Sequence, residues 1–164
     1  MSLTGEVTKF KKRRAGEVDE GPQTTEFLSI MIDQQMFGIP VLQVQDVLRQ
    51  QNVTRVPLAP PEVAGALNLR GRIVTAINVR CRLGLPDLPP ETKTMSVVVE
   101  HEHELFSLII DRVGDVLSLP NRSFENVPPT MDTTWRDIAN GIFRLDGELM
   151  IVVDVARLLR RNMH

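Results

Sequence analysis

Gly65-Ala-Leu-Asn-Leu-Arg-Gly71 and Gly141-Ile-Phe-Arg-Leu-Asp-Gly147 lie over one another without a gap, 76 positions apart. The register holds beyond the second glycine. Arg72-Ile-Val-Thr-Ala-Ile-Asn-Val-Arg-Cys-Arg-Leu83 matches Glu148-Leu-Met-Ile-Val-Val-Asp-Val-Ala-Arg-Leu-Leu159, apolar against apolar, with Asn78 opposite Asp154. Upstream, Phe37–Leu48 runs parallel to Phe106–Leu117, and the corner Val56-Pro57 returns as Val127-Pro128. Matched glycines at a tight turn, together with three aligned blocks, mark two copies of one small unit.

Each copy is built from short runs rich in Val, Ile, Leu and Phe between turn formers, the texture of strands. In the first copy the strands read as Phe27–Ile32, Phe37–Ile39, Val63–Leu69 and Arg72–Asn78, with Val53–Val56 extended and Val79–Leu83 a helical turn. Pro40 suits a first helical turn, and Val41, Val44, Val47 and Leu48 repeat with helical spacing, so Val41–Arg49 is expected to be a short helix carrying Asp46. In the second copy the strands read as Thr94–Glu100, Leu105–Ile110, Val113–Leu119, Gly141–Leu145 and Leu149–Val153. Pro120–Thr134 is irregular, Trp135–Ile138 is a helical turn, and a last helix, Asp154–Arg161, has Asp154 as its N-cap. About five strands per copy would leave pairing-prone edges as an open sheet, so each is expected to close into a small barrel. Units of some 60 residues are marginal alone, so the two should pack side by side around a groove.

The expected organisation is a disordered tail over residues 1–25 and a folded part over 26–164, divided into barrel subdomains at roughly 26–85 and 94–160. Packed repeats exchange terminal elements, so interleaved boundaries are open, with the last helix the candidate to lie on the first barrel. The tail holds a basic run, Lys9, Lys11, Lys12, Arg13 and Arg14, then Glu17, Asp19 and Glu20. It reads as solvated, and no function attaches to it.

A formal charge of −2 with both signs interspersed gathers neither nucleic acid nor an anionic membrane. Aromatic residues at 4% with no tyrosine give no stacking platform for single-stranded nucleic acid. No apolar run is long enough to span a bilayer and no leader is visible, so a cytoplasmic place without membrane insertion is expected. Cys81 is alone, which excludes an internal disulfide and reads as a small filler. No nucleophile elbow, Walker loop, dinucleotide fingerprint or H-E-x-x-H motif occurs, so no enzyme and no cofactor is expected. His101-Glu-His-Glu104 could face two histidines toward one metal, but it falls where a hairpin turn is expected and the third histidine is the terminal His164. A small metal-binding barrel centred on His101 and His103 is the rival reading. Asp46 and Arg70 could pair through the arginine fork beside flexible Gly71, and spacing leaves a pair and an unpartnered surface arginine equally open.

Asn68-Leu-Arg-Gly71 followed by Ile-Val, Arg80 and Leu83-Gly84 resembles the CheW family, the coupling proteins of bacterial chemotaxis. Phe37-Gly-Ile39, Val44-Gln-Asp-Val47, Arg55-Val-Pro57, Gly65, Ile110-Asp111, Val113, Asp115-Val-Leu-Ser-Leu119 and Leu149–Leu159 extend the likeness over nearly all of Glu26–Leu159. The resemblance implies a mainly β fold of two SH3-like five-stranded barrels with short helices. It also implies a non-enzymatic adaptor that couples methyl-accepting chemoreceptor tips to the regulatory domain of the histidine kinase CheA, or serves the same role in a non-motility pathway. Positions matching the family's receptor- and kinase-binding residues are Val44, Asp46, Gly65, Arg70 and Gly71. For Arg70 and the two glycines a role in shaping the surface stands beside direct contact. Two departures are Asn78, where the family usually has aspartate, and Ser107, where it usually has glycine.

Overall fold

Of four two-residue turns between strands, three have positive φ at both central residues. Asp33 and Gln34 (φ 53° and 69°) join β1 (Thr24–Ile32) to β2 (Gln35–Pro40), and Glu102 and His103 (φ 53° and 69°) join β6 (Met95–His101) to β7 (Glu104–Ile110). Arg70 and Gly71 (φ 52° and 85°) join β4 (Val63–Leu69) to β5 (Arg72–Asn78). Positive φ at both central residues gives the backbone twist that matches a right-handed strand pair. The computed structural model describes residues 23–160. Its remaining elements are β3 (Val44–Arg49), α1 (Val79–Arg82), β8 (Arg112–Pro120), α2 (Thr133–Ile138), β9 (Ala139–Leu145), β10 (Glu148–Val153) and α3 (Val155–Leu159).

The strands form two five-stranded sheets, ordered β8-β1-β2-β10-β9 and β3-β6-β7-β5-β4. Each closes on itself through an isolated bridge. Thr54, beyond β3, pairs with Ala66 of β4, and Glu125, beyond β8, pairs with Ile142 of β9. The result is two small barrels, and closure removes the open edges that a five-stranded sheet would leave. Repeat and structure coincide, since β4, β5 and α1 start at positions 76 residues before β9, β10 and α3.

The halves of the sequence, however, are not the barrels. Barrel 1 takes β1 and β2 from the first copy and β8, β9 and β10 from the second; barrel 2 takes β3, β4 and β5 from the first and β6 and β7 from the second. A division at 26–85 and 94–160 therefore does not match the sheets, and the interleaved arrangement is the one found. The two copies meet through the antiparallel pairs β1–β8 and β3–β6 and through the parallel pairs β2–β10 and β5–β7. From Met150 to Val153, strand β10 is buried on both faces. Met150 and Val152 point into barrel 1, while Ile151 and Val153 join a layer shared with Val97, Val99, Leu108 and Ile110 of barrel 2. Two-sided burial is why Leu149–Val153 reads as an unbroken apolar run.

Three expectations need correction. Val41–Arg49 is not a helix: only Val41–Gln43 form a 3-10 turn, and Val44–Arg49 is strand β3 paired with β6. Its burial alternates, with Val44, Asp46 and Leu48 inward and Gln45, Val47 and Arg49 outward. The helical spacing depended on Val47, an apolar residue on the outer face, and pairing with β6 overrode it. Thr24 and Thr25, expected to lie in a tail, belong to β1 and pair with Pro120 and Leu119; residues 1–22 and 161–164 lie outside the described residues. The last helix is shorter, with Asp154 capping the Arg157 N–H at 3.2 Å. It is tied to the first copy, since Arg82 donates to the terminal carbonyls of Leu158 (2.9 Å) and Arg157 (3.0 Å).

Candidate functional site

Barrel 2 has its seam between β3 and β4, the two ends of its strand order. Four of the five candidate residues sit on that seam. Gly65 lies at a bulge in β4, and a Cβ there would collide with the Thr54 carbonyl and the Val53 side chain. Only glycine lets the Val53–Thr54 segment come close enough to bridge Ala66. Gly141 does the same in barrel 1, where a Cβ would meet the Phe124 ring and the Glu125 backbone. The repeated glycine is thus a closure device.

Above this bridge, the Arg70-Gly71 turn leans across to β3. Arg70 Nη2 lies 2.8 Å from Asp46 Oδ2, so the pair does form and ties the two edges of the sheet. Asp46 Oδ1 accepts the Val47 N–H at 2.8 Å, and Asn68 Oδ1 accepts the Gly71 N–H at 2.9 Å, fixing both ends of the contact. Asp46 Oδ2 is shielded from water and meets no donor along a hydrogen-bonding line, so the guanidinium charge is what compensates it. The Arg70 side chain is 73% exposed and that of Asp46 24%. Most of the arginine therefore faces outward, available to a partner, while solvent screening holds the pair's own contribution to about 1 kcal/mol or less. Val44, the fifth candidate, stands apart across a bulge in β3, half-buried against the layer between the barrels.

Apolar groups are exposed on this side of the molecule in a pattern that composition does not reveal. Leu42, in the 3-10 turn leading to Val44, is 95% exposed, and Val47 and Ile73 project from the outer faces of β3 and β5. Scattered exposed side chains are ordinary. Here Leu42 and Val47 lie beside Val44 and Asp46 along the chain, so exposed apolar groups and the charged pair share the β3 edge of barrel 2.

A second charged centre was not singled out by sequence reasoning. The Arg80 side chain, 9% exposed, donates to Asp111 Oδ2 (2.7 Å), to the Pro86 carbonyl (2.7 Å) and to Asp33 Oδ1 (3.3 Å). Asp111 Oδ2 also accepts the Asp33 N–H at 2.9 Å. Asp33 belongs to barrel 1 and Arg80 follows β5 of barrel 2, so this centre spans the junction. The available signal was Arg80 standing opposite Ala156 in the repeat, a charge where the second copy has none.

The remaining candidates show no arrangement for chemistry. His101 ends β6 and His103 occupies the exposed turn, and no group of three or more His, Cys, Asp or Glu among the described residues is placed to hold a metal ion. Burial, with the carboxylates of Glu62 and Asp87 adding to it, pushes the Cys81 thiol up, away from the thiolate a nucleophile needs. Asn78 caps α1 by accepting the Cys81 N–H at 3.1 Å, as an aspartate would. Ser107 is buried in β7, opposite Ala76 and Val98.

Paired, closed barrels with a continuous shared core and a charged seam beside exposed apolar side chains define a tandem-barrel scaffold, which works through surfaces. The chain belongs to the CheW-like domain family, whose model matches residues 26–163. It is 26% identical to the chemotaxis protein CheW of Helicobacter pylori, over 93% of this chain and 92% of that one. With CheW of Klebsiella aerogenes it shares 29% identity over 82% of this chain and 81% of the relative. Protein PilI of Pseudomonas aeruginosa is 25% identical over 80% of this chain and 74% of its own length. The crystal structure of the scaffolding protein CheW from Thermoanaerobacter tengcongensis superposes with a TM-score of 0.76 at 25% identity, over 84% of this chain and 94% of that one. No helix among the described residues is long and apolar enough to cross a membrane.

Proposed function

We propose that this chain is a non-enzymatic cytoplasmic adaptor that couples chemoreceptor tips to the histidine kinase CheA, through surfaces that include Val44, Asp46, Gly65, Arg70 and Gly71. The single observation behind the site is the Asp46–Arg70 pair on the barrel 2 seam, with an outward-facing guanidinium beside exposed Leu42 and Val47. Within it the roles divide. Gly65 and Gly71 shape the surface through close approach and positive φ, while Arg70 offers its fork and Val44 its apolar face. A helical receptor hairpin would lay its apolar stripe beside Val44, and the end of a barrel would meet the matching end of the kinase's regulatory domain. Assembly alone does the work: each partner is held near the other by mass action, and no bond is made or broken. Ser107 is buried and so would act only through the strand that carries it.

Val44→Glu should lower affinity for receptor or kinase at least about tenfold, a loss of 1.4 kcal/mol. Titration against each partner would measure it, with the emission of Trp135, the single tryptophan, reporting an intact barrel 1 through its edge contact with Phe37 (ring centroids 5.7 Å). Unchanged affinities with both partners would remove Val44 from the site. Likeness to PilI, a relative not named for chemotaxis, supports a second reading in which the same surfaces serve a non-motility pathway. Identifying which receptor and kinase co-purify from the native cell separates the two.

A further inference from the structure

The chain crosses between barrels at two places of different construction. Val41–Gln43 link β2 of barrel 1 to β3 of barrel 2 through a 3-10 turn. Asp111 alone links β7 of barrel 2 to β8 of barrel 1. In the repeat alignment these crossings are equivalent, and Leu42 takes the place of Asp111, 69 positions earlier. Leu42 lies almost wholly in solvent, whereas Asp111 is held by the Asp33 N–H and by the Arg80 guanidinium, which the Pro86 carbonyl fixes in turn.

Everything after Asp111 completes a barrel begun by β1 and β2. Residues 112–160 of a second copy would offer the same β8, β9 and β10 to those strands, with the same pairs and the same core. A monomer and an exchanged dimer would therefore differ only at the hinge and through concentration, and very short hinges favour the straightened, exchanged form. Straightening the single-residue link would run β7 into β8 as one strand and pull Asp111 out of its pocket. We propose that the Arg80–Asp111–Asp33 centre is a lock on this hinge, and that it decides that one chain, instead of two exchanging copies, builds both barrels.

Arg80→Met removes the guanidinium, and Arg80→Met with Asp111→Asn also removes the carboxylate that the first change would leave uncompensated. After unfolding and refolding at matched protein concentration, light scattering should show the dimer-to-monomer ratio raised about tenfold over the parent, the factor lost with one charge-assisted hydrogen bond. Trp135 emission should stay native in both species. Inserting Gly-Ser-Gly between Asp111 and Arg112 in the double variant should restore the monomer, because a longer hinge turns back without strain. An unchanged ratio in folded variants, or a dimer that the insertion does not diminish, overturns the proposal. So does loss of native emission in both variants, which would make the centre a requirement for folding and not a choice of partner.

Discussion

Asp46 points inward from β3, where an alternating strand would place an apolar side chain, and Arg70 takes positive φ, which a long side chain seldom adopts. Each breaks a local rule, and the ion pair between them is what the two irregularities have in common. In a double-mutant cycle, Asp46→Ala and Arg70→Ala should show a coupling of a few tenths to about 1 kcal/mol in chemical unfolding, and strict additivity would mean the pair does not persist in solution. Spacing along the chain left this pair open, since the contact depends on how a turn leans over a seam. Arg80 was harder to read. Its partners Asp33 and Asp111 are 47 and 31 residues away, and their meeting point exists only once the barrels are packed.

Glycines 65 and 141 show how one element-level device serves both barrels. A side chain at either would force apart the strand and the segment that closes its ring. Gly65→Ala should therefore destabilise by about 2 kcal/mol or more, read as a lower urea midpoint, because the obstacle is backbone and cannot swing away. An unchanged midpoint would mean that the Thr54 bridge is dispensable. The strands with matched partners in the repeat were legible, as were α1 and α3 from their caps at Asn78 and Asp154. β3 was not, although its counterpart Val113–Leu117 reads as a strand and the alignment carried that information. Local helical spacing at Val41–Leu48 competed with it, and the pairing of Val44 and Asp46 with β6 decided the outcome.

For the whole molecule, the exchange of strands has a direct consequence. Neither half of the chain contains a complete barrel, so residues 23–92 and 93–160 made separately should each stay unfolded. Mixed, they should recover native Trp135 emission, because Phe37 of one fragment and Trp135 of the other then meet. Folding of either fragment alone would contradict the interleaved topology. The shared layer, with Ile30 and Ile39 from the first copy and Ile142 and Val153 from the second, makes the two barrels one cooperative unit.

The sequence by itself determined that there are two copies of a β-unit, where their hairpins turn, which residues cap the helices and that no familiar catalytic motif is present. Those properties come from neighbouring residues: glycine at a turn, alternation along a strand, a carboxylate or amide at an N-cap. Tertiary structure alone decided which strands share a barrel, that Val44–Arg49 is extended, and that Arg80 joins Asp111 and Asp33. The physical reason is that β pairing is non-local. A strand's apolar pattern states that it will be buried, but two copies of one unit present equivalent edges, and only the packing of the whole chain selects between them.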